Sequence, residues 1–464
     1  MIEGLKPYAE YKESGLPWLG RCPSHWSVRR TKILFHERVQ KGFPNEPLLA
    51  ATQTKGVIKK DDYGTRTVTA QKDLHLLKLV EVGDYVISLR SFQGGIEVAH
   101  CRGIISPAYT VLKPSQSATS GYYSHFFKAK PFIDSLSLFV TGIREGQNID
   151  YERMSRAEMP LPCEDEQAAI VRFLDYANRK IDGFIRAKRK LIGLLNEQKQ
   201  AIIQRAVTRG LDPDAPLKPS GISWLGDIPA HWEAKRVKQT TRILRGKFSH
   251  RPRNDPSFYD GKYPFIQTGA VARAGKFIAS YKQTLNEKGL SVSKLFPSGT
   301  LVMTIAANIG DVAILTFEAC FPDSIVGFVP AGKLDRDYLY FVFLCMKDEL
   351  LREAPVNTQG NLSIERIGTM WIPLPPLLEQ EQITKYIETE TIPLNTAITR
   401  TEREIALMQE YRTRLTADIV TGKLDVREAA ARLPDLPTDP AGEPFTDEVL
   451  GYTDVLDEIE PEES

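Results

Sequence analysis

Two stretches of equal length decide how this chain is organised. Residues 164–207 are EDEQAAIVRFLDYANRKIDGFIRAKRKLIGLLNEQKQAIIQRAV, and residues 377–420 are LLEQEQITKYIETETIPLNTAITRTEREIALMQEYRTRLTADIV. Positions spaced alternately by four and three residues follow one face of each stretch: Ile181, Ile185, Lys188, Ile192, Leu195, Lys199, Ile202 and Ala206 in the first, and Leu394, Ile398, Thr401, Ile405, Met408, Arg412, Leu415 and Ile419 in the second. This spacing is typical of a heptad seam between helices packed along their length. At 1.5 Å per residue each helix would span about 66 Å, so we predict a pair of long antiparallel helices.

Both stretches also begin and end in the same way. Each follows Pro-Leu-Pro, at residues 160–162 and 373–375, and each ends on related sequences, VTRGLD at 207–212 and VTGKLD at 420–425. The glycine that follows each stretch, Gly210 or Gly422, is typical of a helix C-terminus. Two unrelated amphipathic helices in separate cores are the alternative, and the repeated ending and register disfavour it.

The net charge of +1 conceals two regions of opposite charge. Residues 425–464 contain 13 Asp or Glu against two Arg, whereas residues 1–424 have a surplus of 12 positive charges. A basic body suits a polyanionic partner. The acidic, Pro-containing tail is predicted to be disordered, and a solvated chain end is the simplest interpretation of it.

Cysteine use and hydropathy predict a cytoplasmic protein. The five cysteines are scattered, with no C-x-x-C spacing, which argues against a zinc site and against a disulfide framework. The first residues lack the basic and apolar segments of a signal peptide. The longest apolar run, residues 338–346, is too short to cross a bilayer, so no membrane association is expected.

The strongest repeat opens each half of the chain. Residues 14–26 are SGLPWLGRCPSHW, and residues 220–232 are SGISWLGDIPAHW. Two Trp, a Gly and a Pro at fixed spacing predict a packed turn that occurs twice. His25 and His231 are interpreted as structural, because no acid or nucleophile recurs beside both of them in the sequence.

Between the opening turn and the long helix, each half is predicted to be a mixed α/β domain. Short β-branched or aromatic runs bounded by Gly and Pro favour strands at residues 84–89 and 108–112, and at residues 300–305, 312–317 and 325–329. Helices are expected at residues 122–135 and 338–350. Asp150 and Ser363 are positioned to cap a short helix before each Pro-Leu-Pro.

These observations predict six segments. They are an α/β domain at residues 1–160, a long helix at 161–210, a Pro-rich linker at 211–219, a second α/β domain at 220–373, a second long helix at 374–424 and the acidic tail at 425–464. The interiors of the two domains, residues 41–72 and 245–282, do not align, as expected of two different recognition surfaces.

No catalytic signature is present in the sequence. It contains no phosphate-binding G-x-x-x-x-G-K-[ST] loop, no G-x-G-x-x-G after a strand, no Asn/Asp-Pro-Pro-Tyr/Phe motif of amino-methyltransferases and no cluster with metal-ligand spacing. The sequence therefore predicts no catalytic residue, metal or cofactor in this chain.

The domain interiors instead combine basic and amide side chains with aromatic ones. Lys and Arg bind phosphates and guanine edges, and Gln can pair with adenine through two hydrogen bonds. For any one residue a solvated loop is the simpler interpretation, but the group on a basic body favours DNA binding. The candidate DNA-binding residues are Gln53, Thr54, Lys55, Lys59, Lys60, Arg66, Arg90 and Gln93 in the first domain, and Arg245, Lys247, Arg251, Arg253, Gln267 and Arg273 in the second.

The doubled opening, the doubled Pro-Leu-Pro with Glu-Gln, and the doubled long helices with their Val-Thr-x-x-Leu-Asp endings resemble the DNA-specificity subunit of type I restriction–modification systems. The resemblance covers residues 11–425. It implies two target-recognition domains that each recognise half of a bipartite site in double-stranded DNA, held apart by the paired helices. It also implies two modification subunits and restriction subunits as partners, with S-adenosylmethionine, ATP and Mg bound by those partners. One departure is Pro393, where the first helix has Lys180; it is expected to kink or split the second helix.

Two other classes of protein remain as alternatives. A non-catalytic coiled-coil scaffold could bind a protein partner with the same two domains, although the basic, polar loops disfavour it. A nuclease built from scattered acids is a more distant alternative. The DNA sequence recognised does not follow from the residues.

Overall fold

The computed structural model describes residues 5–63, 73–89, 91–116, 118, 120–141, 148–306, 308–353 and 362–434. The described residues form two compact units, and each unit is composed of one α/β domain with parts of both long helices. The first unit contains described residues from 1–185 and 406–464, and the second contains those from 186–405. The chain is therefore mixed α/β, with two domains joined by long helices, as the sequence predicts.

The two predicted long helices are each continuous, from Glu164 to Arg209 and from Leu377 to Val420. In the second unit Lys188 Nζ lies 2.6 Å from a carboxylate oxygen of Glu404, and Lys199 Nζ donates to Asn395 Oδ1 at 2.9 Å. The second pair follows the first in one helix and precedes it in the other, so the helices run antiparallel. In the first unit the Arg412 guanidinium pairs with Asp182.

The heptad seam is confirmed by the burial of its residues. Ile185, Thr401 and Leu415 are among the buried side chains at seam positions. Lys199 lies at the seam as well, and burial lowers the pKa of its ammonium group. The charged seam residues Lys188, Lys199 and Arg412 make cross-helix contacts, so the pattern combines apolar packing with hydrogen bonds and ion pairs.

Pro393 lies inside the second long helix without dividing it. The expectation of a split helix is therefore wrong. Proline removes one backbone hydrogen bond, but packing along the rest of a long helix can outweigh that local cost. Buried Thr391 and Thr401 lie on either side of Pro393, and each hydroxyl donates to the carbonyl four residues earlier.

The C-terminus of the second long helix packs on the first domain, and the C-terminus of the first long helix packs on the second domain. Tyr122 of the first domain donates its hydroxyl to the carbonyl of Val420 at 3.0 Å, and Tyr338 of the second donates to Val207 at 3.4 Å. These bonds satisfy carbonyls that have no partner within the helix. Gly422 follows with φ +77°, and a Cβ there would lie 2.4 Å from Pro23, so only glycine fits.

The first domain is built from one four-stranded antiparallel sheet and several strand pairs. The sheet order is Phe35–Glu37, Thr110–Pro114, Tyr85–Ile87 and Glu97–Val98. The pairs are Tyr11–Glu13 with Arg21–Pro23, Ser27–Arg30 with Glu158–Leu161, Leu49–Thr52 with Gly56–Lys59, Lys78–Val80 with Gly103–Ile105, and Val140–Thr141 with Asn148–Ile149. Its helical segments are Thr31–Leu34, Lys60–Tyr63, Leu74–Leu76, Ser91–Gly94, Ser120–Phe126, Lys130–Ser135, Leu136–Phe139 and Tyr151–Arg156.

The core of the first unit is rich in aromatic side chains. Phe35, Tyr85, Tyr123 and Phe127 contact one another with ring centroids 5.0–5.6 Å apart. Offset and edge-to-face contacts of this kind favour dense packing. Ile419, from the end of the second long helix, belongs to the same core, which fixes that helix end to the domain.

The second domain has larger sheets. Its five-stranded sheet has the order Thr241–Arg245, Ile325–Pro330, Leu301–Thr304, Val312–Leu315 and Phe277–Ile278, with the last pair parallel. A four-stranded sheet has the order Gln283–Leu285, Tyr259–Phe265, Ala319–Cys320 and Leu295–Phe296. Two strand pairs are Leu217–Pro219 with Asp227–Pro229 and Glu233–Arg236 with Trp371–Leu374. The helical segments are Val237–Thr240, Pro256–Phe258, Thr268–Arg273, Glu287–Val292, Arg336–Cys345, Lys347–Glu353 and Ile364–Thr369.

Both predicted caps before the long helices are confirmed. The side chain of Asp150 accepts from Arg153 N, and that of Ser363 accepts from Arg366 N, each at 3.2 Å. In each domain the strand after the opening Trp then pairs with the strand that contains Pro-Leu-Pro. The repeated sequence therefore forms the base of each domain, while the interiors differ in strand number.

The opening turn recurs with the same hydrogen bonds, from Ser14 N to Gly20 O and from Ser220 N to Gly226 O. Its histidines have acidic partners that lie far away in the sequence. His25 Nε2 is 2.8 Å from Glu166 Oε2, and His231 Nε2 is 2.8 Å from Glu379 Oε2. The premise that no acid recurs beside both histidines is thus wrong, because in the folded structure each histidine lies beside a glutamate. Each pair ties the turn to the start of a long helix, which agrees with a structural role.

The second carboxylate oxygen has a different partner in each unit. Glu166 accepts from the Tyr8 hydroxyl at 2.6 Å, whereas Glu379 accepts from Trp232 Nε1 at 3.0 Å. Burial raises the pKa of the Tyr8 phenol, and the hydrogen bond to Glu166 raises it further. Trp26 Nε1 is left buried without a hydrogen-bond partner.

This difference gives a matched pair of substitutions. Trp232→Phe removes a charge-assisted hydrogen bond, whereas Trp26→Phe removes an unpaired buried donor. We expect Trp232→Phe to reduce the free energy of unfolding by about 1–2 kcal/mol more than Trp26→Phe does. Equilibrium denaturation of both variants measures the difference, and equal losses would contradict it.

The two ends of the described chain meet in the first unit. Asp425 N donates to Lys6 O at 2.8 Å, and the Tyr11 hydroxyl donates to Lys423 O at 3.0 Å. A short helix, Arg427–Ala431, follows, with Val426 and Ala430 buried in the first core. The sequence placed the start of a disordered tail at residue 425, but residues 425–434 pack on the domain because their small apolar side chains interrupt the acidic pattern. Residues 435–464 lie outside the described part of the chain.

In the second unit, the end of the long helix is joined directly by the chain to the first strand of the domain, whereas in the first unit the corresponding segments meet through hydrogen bonds. The predicted linker leads from the end of the first long helix into the strand Leu217–Pro219, which pairs with Asp227–Pro229. This strand pair matches Tyr11–Glu13 with Arg21–Pro23 in the first unit. The last three residues of the linker therefore belong to the second domain.

Candidate DNA-recognition surface

The first group of candidate residues lies on a β-hairpin turn. Thr52 fixes this turn, since its hydroxyl accepts from Lys55 N at 2.9 Å and donates to Gly56 O at 2.8 Å. Gln53 and Thr54 are exposed at the tip. We call residues 53–55 the hairpin turn. Its backbone is held in place, while its amide and hydroxyl side chains face solvent.

A second group lies on the short helix Ser91–Gly94, which we call the glutamine turn after Gln93. Gln93 is exposed. A Cβ on Gly94 would lie 2.8 Å from Gln53 Cδ, so the side chain of Gln53 passes directly over Gly94. Two groups that are about 40 residues apart in the sequence are therefore in contact.

One side chain that sequence reasoning missed joins these turns. Lys128 Nζ donates to Gln53 O at 3.0 Å and to Gly94 O at 2.8 Å, and it also pairs with the carboxylate of Glu97. Burial raises the pKa of Glu97, and the nearby Lys128 ammonium opposes that rise. Nothing local in the sequence distinguishes Lys128 from other surface lysines.

Two further first-domain candidates, Lys59 and Lys60, lie farther along the hairpin. Lys59 pairs with Leu49 at the opposite end of the hairpin from its turn, and Lys60 begins the helical segment that follows. Arg66 and Arg90 lie outside the described residues. Their assignment as DNA-binding residues stays a prediction.

In the second domain, a cavity of about 370 Å³ brings together two of the candidate residues and a neighbouring glutamine. Phe248 and Phe265 are buried beneath it, and Arg253, Gln267 and Gln283 line it. Gln267 Nε2 donates to Gln283 Oε1 at 2.6 Å. Gln283 was not among the predicted residues, because it lies in a separate strand.

The two arginines beside this cavity are already held by the protein. Arg253 pairs with Asp323, and Arg251 lies 3.5 Å from the same carboxylate. Arg251 also donates to the carbonyls of Phe248 and His250 at 2.7 and 2.8 Å. Asp323 therefore orients both guanidinium groups, and Gln267 is the less constrained candidate.

The other second-domain candidates lie apart from the cavity lining. Arg245 ends the first strand of the five-stranded sheet, near Glu365. Lys247 is exposed two residues later, and Arg273 ends the helix Thr268–Arg273, with its guanidinium near Gly269. The structure thus brings Arg251, Arg253 and Gln267 together and leaves Arg245, Lys247 and Arg273 on neighbouring surface.

The two turns of the first domain and the cavity of the second domain present side chains that are suited to binding a ligand. Amides, hydroxyls and cations can bind base edges and phosphates. Within the described residues, no group of three His, Cys, Asp or Glu side chains is arranged to hold a metal ion. No helix in that part of the chain is both long and apolar enough to span a membrane.

Comparison with known proteins shows what these domains resemble. Residues 229–406 match the family described as type I restriction modification DNA specificity domain. The chain is 23% identical over 451 residues to the type I restriction enzyme MjaIX specificity subunit of Methanocaldococcus jannaschii, covering 90% of this chain and 97% of the relative. It is 22% identical over 345 residues to the MjaVIII specificity subunit of the same organism, covering 70% of this chain and 75% of that relative. The chain is thus similar, over most of its length, to type I restriction enzyme specificity subunits.

A solved structure supports the fold. A chain from a study of complex assembly and conformational transition of the type I R-M system superposes with a TM-score of 0.61 at 16% identity, covering 86% of this chain and 98% of that one. The HsdS subunit from Thermoanaerobacter tengcongensis, also 16% identical, gives a TM-score of 0.40. The superposition with a TM-score of 0.61 thus confirms the fold that the repeated motifs indicated.

Proposed function

We propose that this chain recognises a bipartite site in double-stranded DNA, with each α/β domain contacting one half of the site. The observation that carries the proposal is the duplication itself. The two domains have the same framework, built from the opening turn and the Pro-Leu-Pro strand. They differ in the interiors that present amide and basic side chains. A common protein framework with divergent recognition loops is what recognition of two half-sites of different sequence requires.

We further propose which surfaces contact the DNA. In the first domain these are the hairpin turn and the glutamine turn, and in the second domain the cavity lined by Gln267 and Gln283. An amide offers a donor and an acceptor side by side, which matches the major-groove edge of adenine. Exposed lysines such as Lys247 would instead contact phosphates, which orient the protein without carrying sequence information.

We also propose that the chain is a non-catalytic cytoplasmic scaffold. Two modification subunits and the restriction subunits would assemble on it and would supply methyl transfer, ATP hydrolysis and cleavage. S-adenosylmethionine, ATP and Mg would then be bound by those partners. A basic body with amide-rich loops and no catalytic motif supports this division of roles.

The test uses Gln267→Ala and Lys247→Ala in the full chain, with its partner subunits and a duplex whose site comes from genomic methylation mapping. Gln267→Ala should cost about 1–3 kcal/mol with relaxed preference at one base pair, whereas Lys247→Ala should weaken all duplexes alike and lower the salt slope by about one. Binding measured across salt concentrations separates the two effects.

Three results would count against the proposal. Wild-type affinity in both variants at every salt concentration would show that other loops contact DNA. An equal loss on all sequences for Gln267→Ala would remove its role at a base. A wild-type complex with no salt-dependent DNA binding would favour the alternative of a scaffold that binds proteins alone.

A further inference from the structure

Lys128 occupies a position that surface lysines rarely have. It lies between the helices Ser120–Phe126 and Lys130–Ser135, and its side chain is 32% exposed. An ammonium group has three donors. Here the three acceptors are Gln53 O, Gly94 O and the carboxylate of Glu97, so every donor has a partner within the protein.

Glu97 explains why Lys128 stays in this position. Its side chain is only 3% exposed, and its Oε2 has no hydrogen-bond partner. A buried carboxylate is costly unless a cation accompanies it. Lys128 is the cation that pairs with it, and the pair anchors the ammonium between the hairpin turn and the glutamine turn.

The hairpin turn, the glutamine turn and the segment around Lys128 are also closely packed. A side chain on Gly94 would displace the flexible end of Gln53, whose Cδ would lie 2.8 Å from the added Cβ. Gly95, with φ +83°, lies against the carbonyl of Phe127, where a Cβ would be 2.2 Å from the oxygen. The residue that follows Phe127 is Lys128 itself. The chain segment around Lys128 therefore contacts both turns through its backbone and its side chain.

We propose that Lys128, anchored by Glu97, is a positioning residue for DNA recognition by the first domain. By binding one carbonyl from each turn, it fixes Gln53 and Gln93 relative to each other, so that both amides can meet one short segment of DNA. The inference rests on the proposed role of these turns in contacting DNA. Side chains that contact a ligand need such support, because small displacements weaken directional hydrogen bonds.

A positioning role predicts loss of discrimination without loss of general DNA affinity. Lys128 has no free donor for a phosphate, so its removal should leave the salt dependence of binding unchanged. Release of the two turns should weaken recognition of the correct bases and raise methylation at sites with one mismatch. The effect should be confined to the half-site that the first domain recognises.

The experiment uses the full chain with its modification subunits in cells, and genomic methylation mapping as the measurement. Lys128→Met removes the ammonium group, and Lys130→Met is the matched control, because Lys130 is exposed and pairs with Asp134 one helical turn away. We expect Lys128→Met to raise relative methylation at single-mismatch sites about tenfold in one half-site, and Lys130→Met to have no effect. Lys128→Arg, which can still donate to both carbonyls, should recover part of the discrimination.

Two further variants separate positioning from general damage to the domain. Gly94→Ala pushes on Gln53 without touching Lys128, and it should relax the same base positions. If Lys128 acts through Gln53, the variant with both Lys128→Met and Gln53→Ala should be no worse at those positions than Gln53→Ala alone. Should Lys128→Met fail to accumulate as folded protein, Gly94→Ala and Lys128→Arg carry the test.

The possible failures can be told apart. If Gln53→Ala and Gln93→Ala both leave the half-site preference unchanged, the proposed DNA contact by these turns is wrong. Suppose instead that those variants relax the preference, but that Lys128→Met and Gly94→Ala methylate single-mismatch sites no more than Lys130→Met does. The positioning role is then wrong. A uniform loss of binding by Lys128→Met on duplex DNA, with a salt slope lower by about one, would make Lys128 a phosphate contact and would overturn the proposal.

Discussion

Replacement of residues 27–158 by the matching region of another specificity subunit should change one half of the recognised DNA site and leave the other half as it was. The reason is that residues 27–158 hold both candidate turns of the first domain, whereas the second domain has its own sheets and core. Each mismatched base pair costs about 1–3 kcal/mol, so a new half-site of several base pairs should shift the preference between old and new sites by about a thousandfold or more.

Methylation mapping in cells that carry the hybrid with its native partner subunits measures this change. The spacing between half-sites should stay the same, because both long helices are untouched. The reciprocal replacement of residues 233–370 is the matched control and should change only the other half. A hybrid that methylates efficiently but alters both halves, or the spacing, would mean that the two domains recognise DNA jointly.

Serine at both Leu191 and Leu194 should weaken assembly with the modification subunits by about a hundredfold or more. These two leucines are 40% and 52% exposed on the first long helix, one turn apart, beside the seam rather than in it. Full burial of such a side chain contributes about 1.5–3 kcal/mol, so loss of both from an interface amounts to several kcal/mol. The substitutions leave the cross-helix contacts of Lys188 and Lys199 intact.

Co-purification with tagged modification subunits measures assembly, and duplex binding by the isolated chain measures DNA contact. The control replaces Asn196 and Gln198 with serine, which alters the same helix to the same extent but removes no apolar side chain. Assembly should fall only in the leucine variant. Normal assembly with a collapse of DNA binding would show that these leucines support the domains and not the partners.

The long helices and their ends could be predicted because each depends on residues that are close together in the sequence. A heptad seam, a capping Asp150 or Ser363 and a glycine after the last turn act over four to seven residues. Repetition of the same signals more than 200 residues later made the assignment secure. Pro393 does not split the second helix, because its local cost is opposed by packing along the whole helix, which a short stretch of sequence does not show.

The candidate site was harder to predict because its contacts join distant residues. Gln53 and Gly94 meet only after two separate strand pairs have formed, and Lys128 reaches both from a third segment. In the second domain Gln283 joins Gln267 across strands. The sequence indicated which loops carry amide and basic side chains, but not which members of those loops would be in contact.

The histidines show the same limit in another way. His25 and His231 were interpreted as structural because no acid lies beside both in the sequence, but their partners Glu166 and Glu379 lie 141 and 148 residues away. The Glu-Gln pair at the start of each long helix was noted as part of a motif. Its function in binding the opening turn depends on the strand pairing that brings the helix start back to the turn.

The contact between Lys6 and Asp425 has a consequence for the order in which the protein is made. Residues 186–405, which form the second unit, emerge from the ribosome before residues 406–434 of the first unit do. The core of the first unit contains Ile419 and Val426, and those residues emerge after the whole second unit. The domain encoded first is therefore the one completed last, and until then its aromatic core lacks the helix end that covers it.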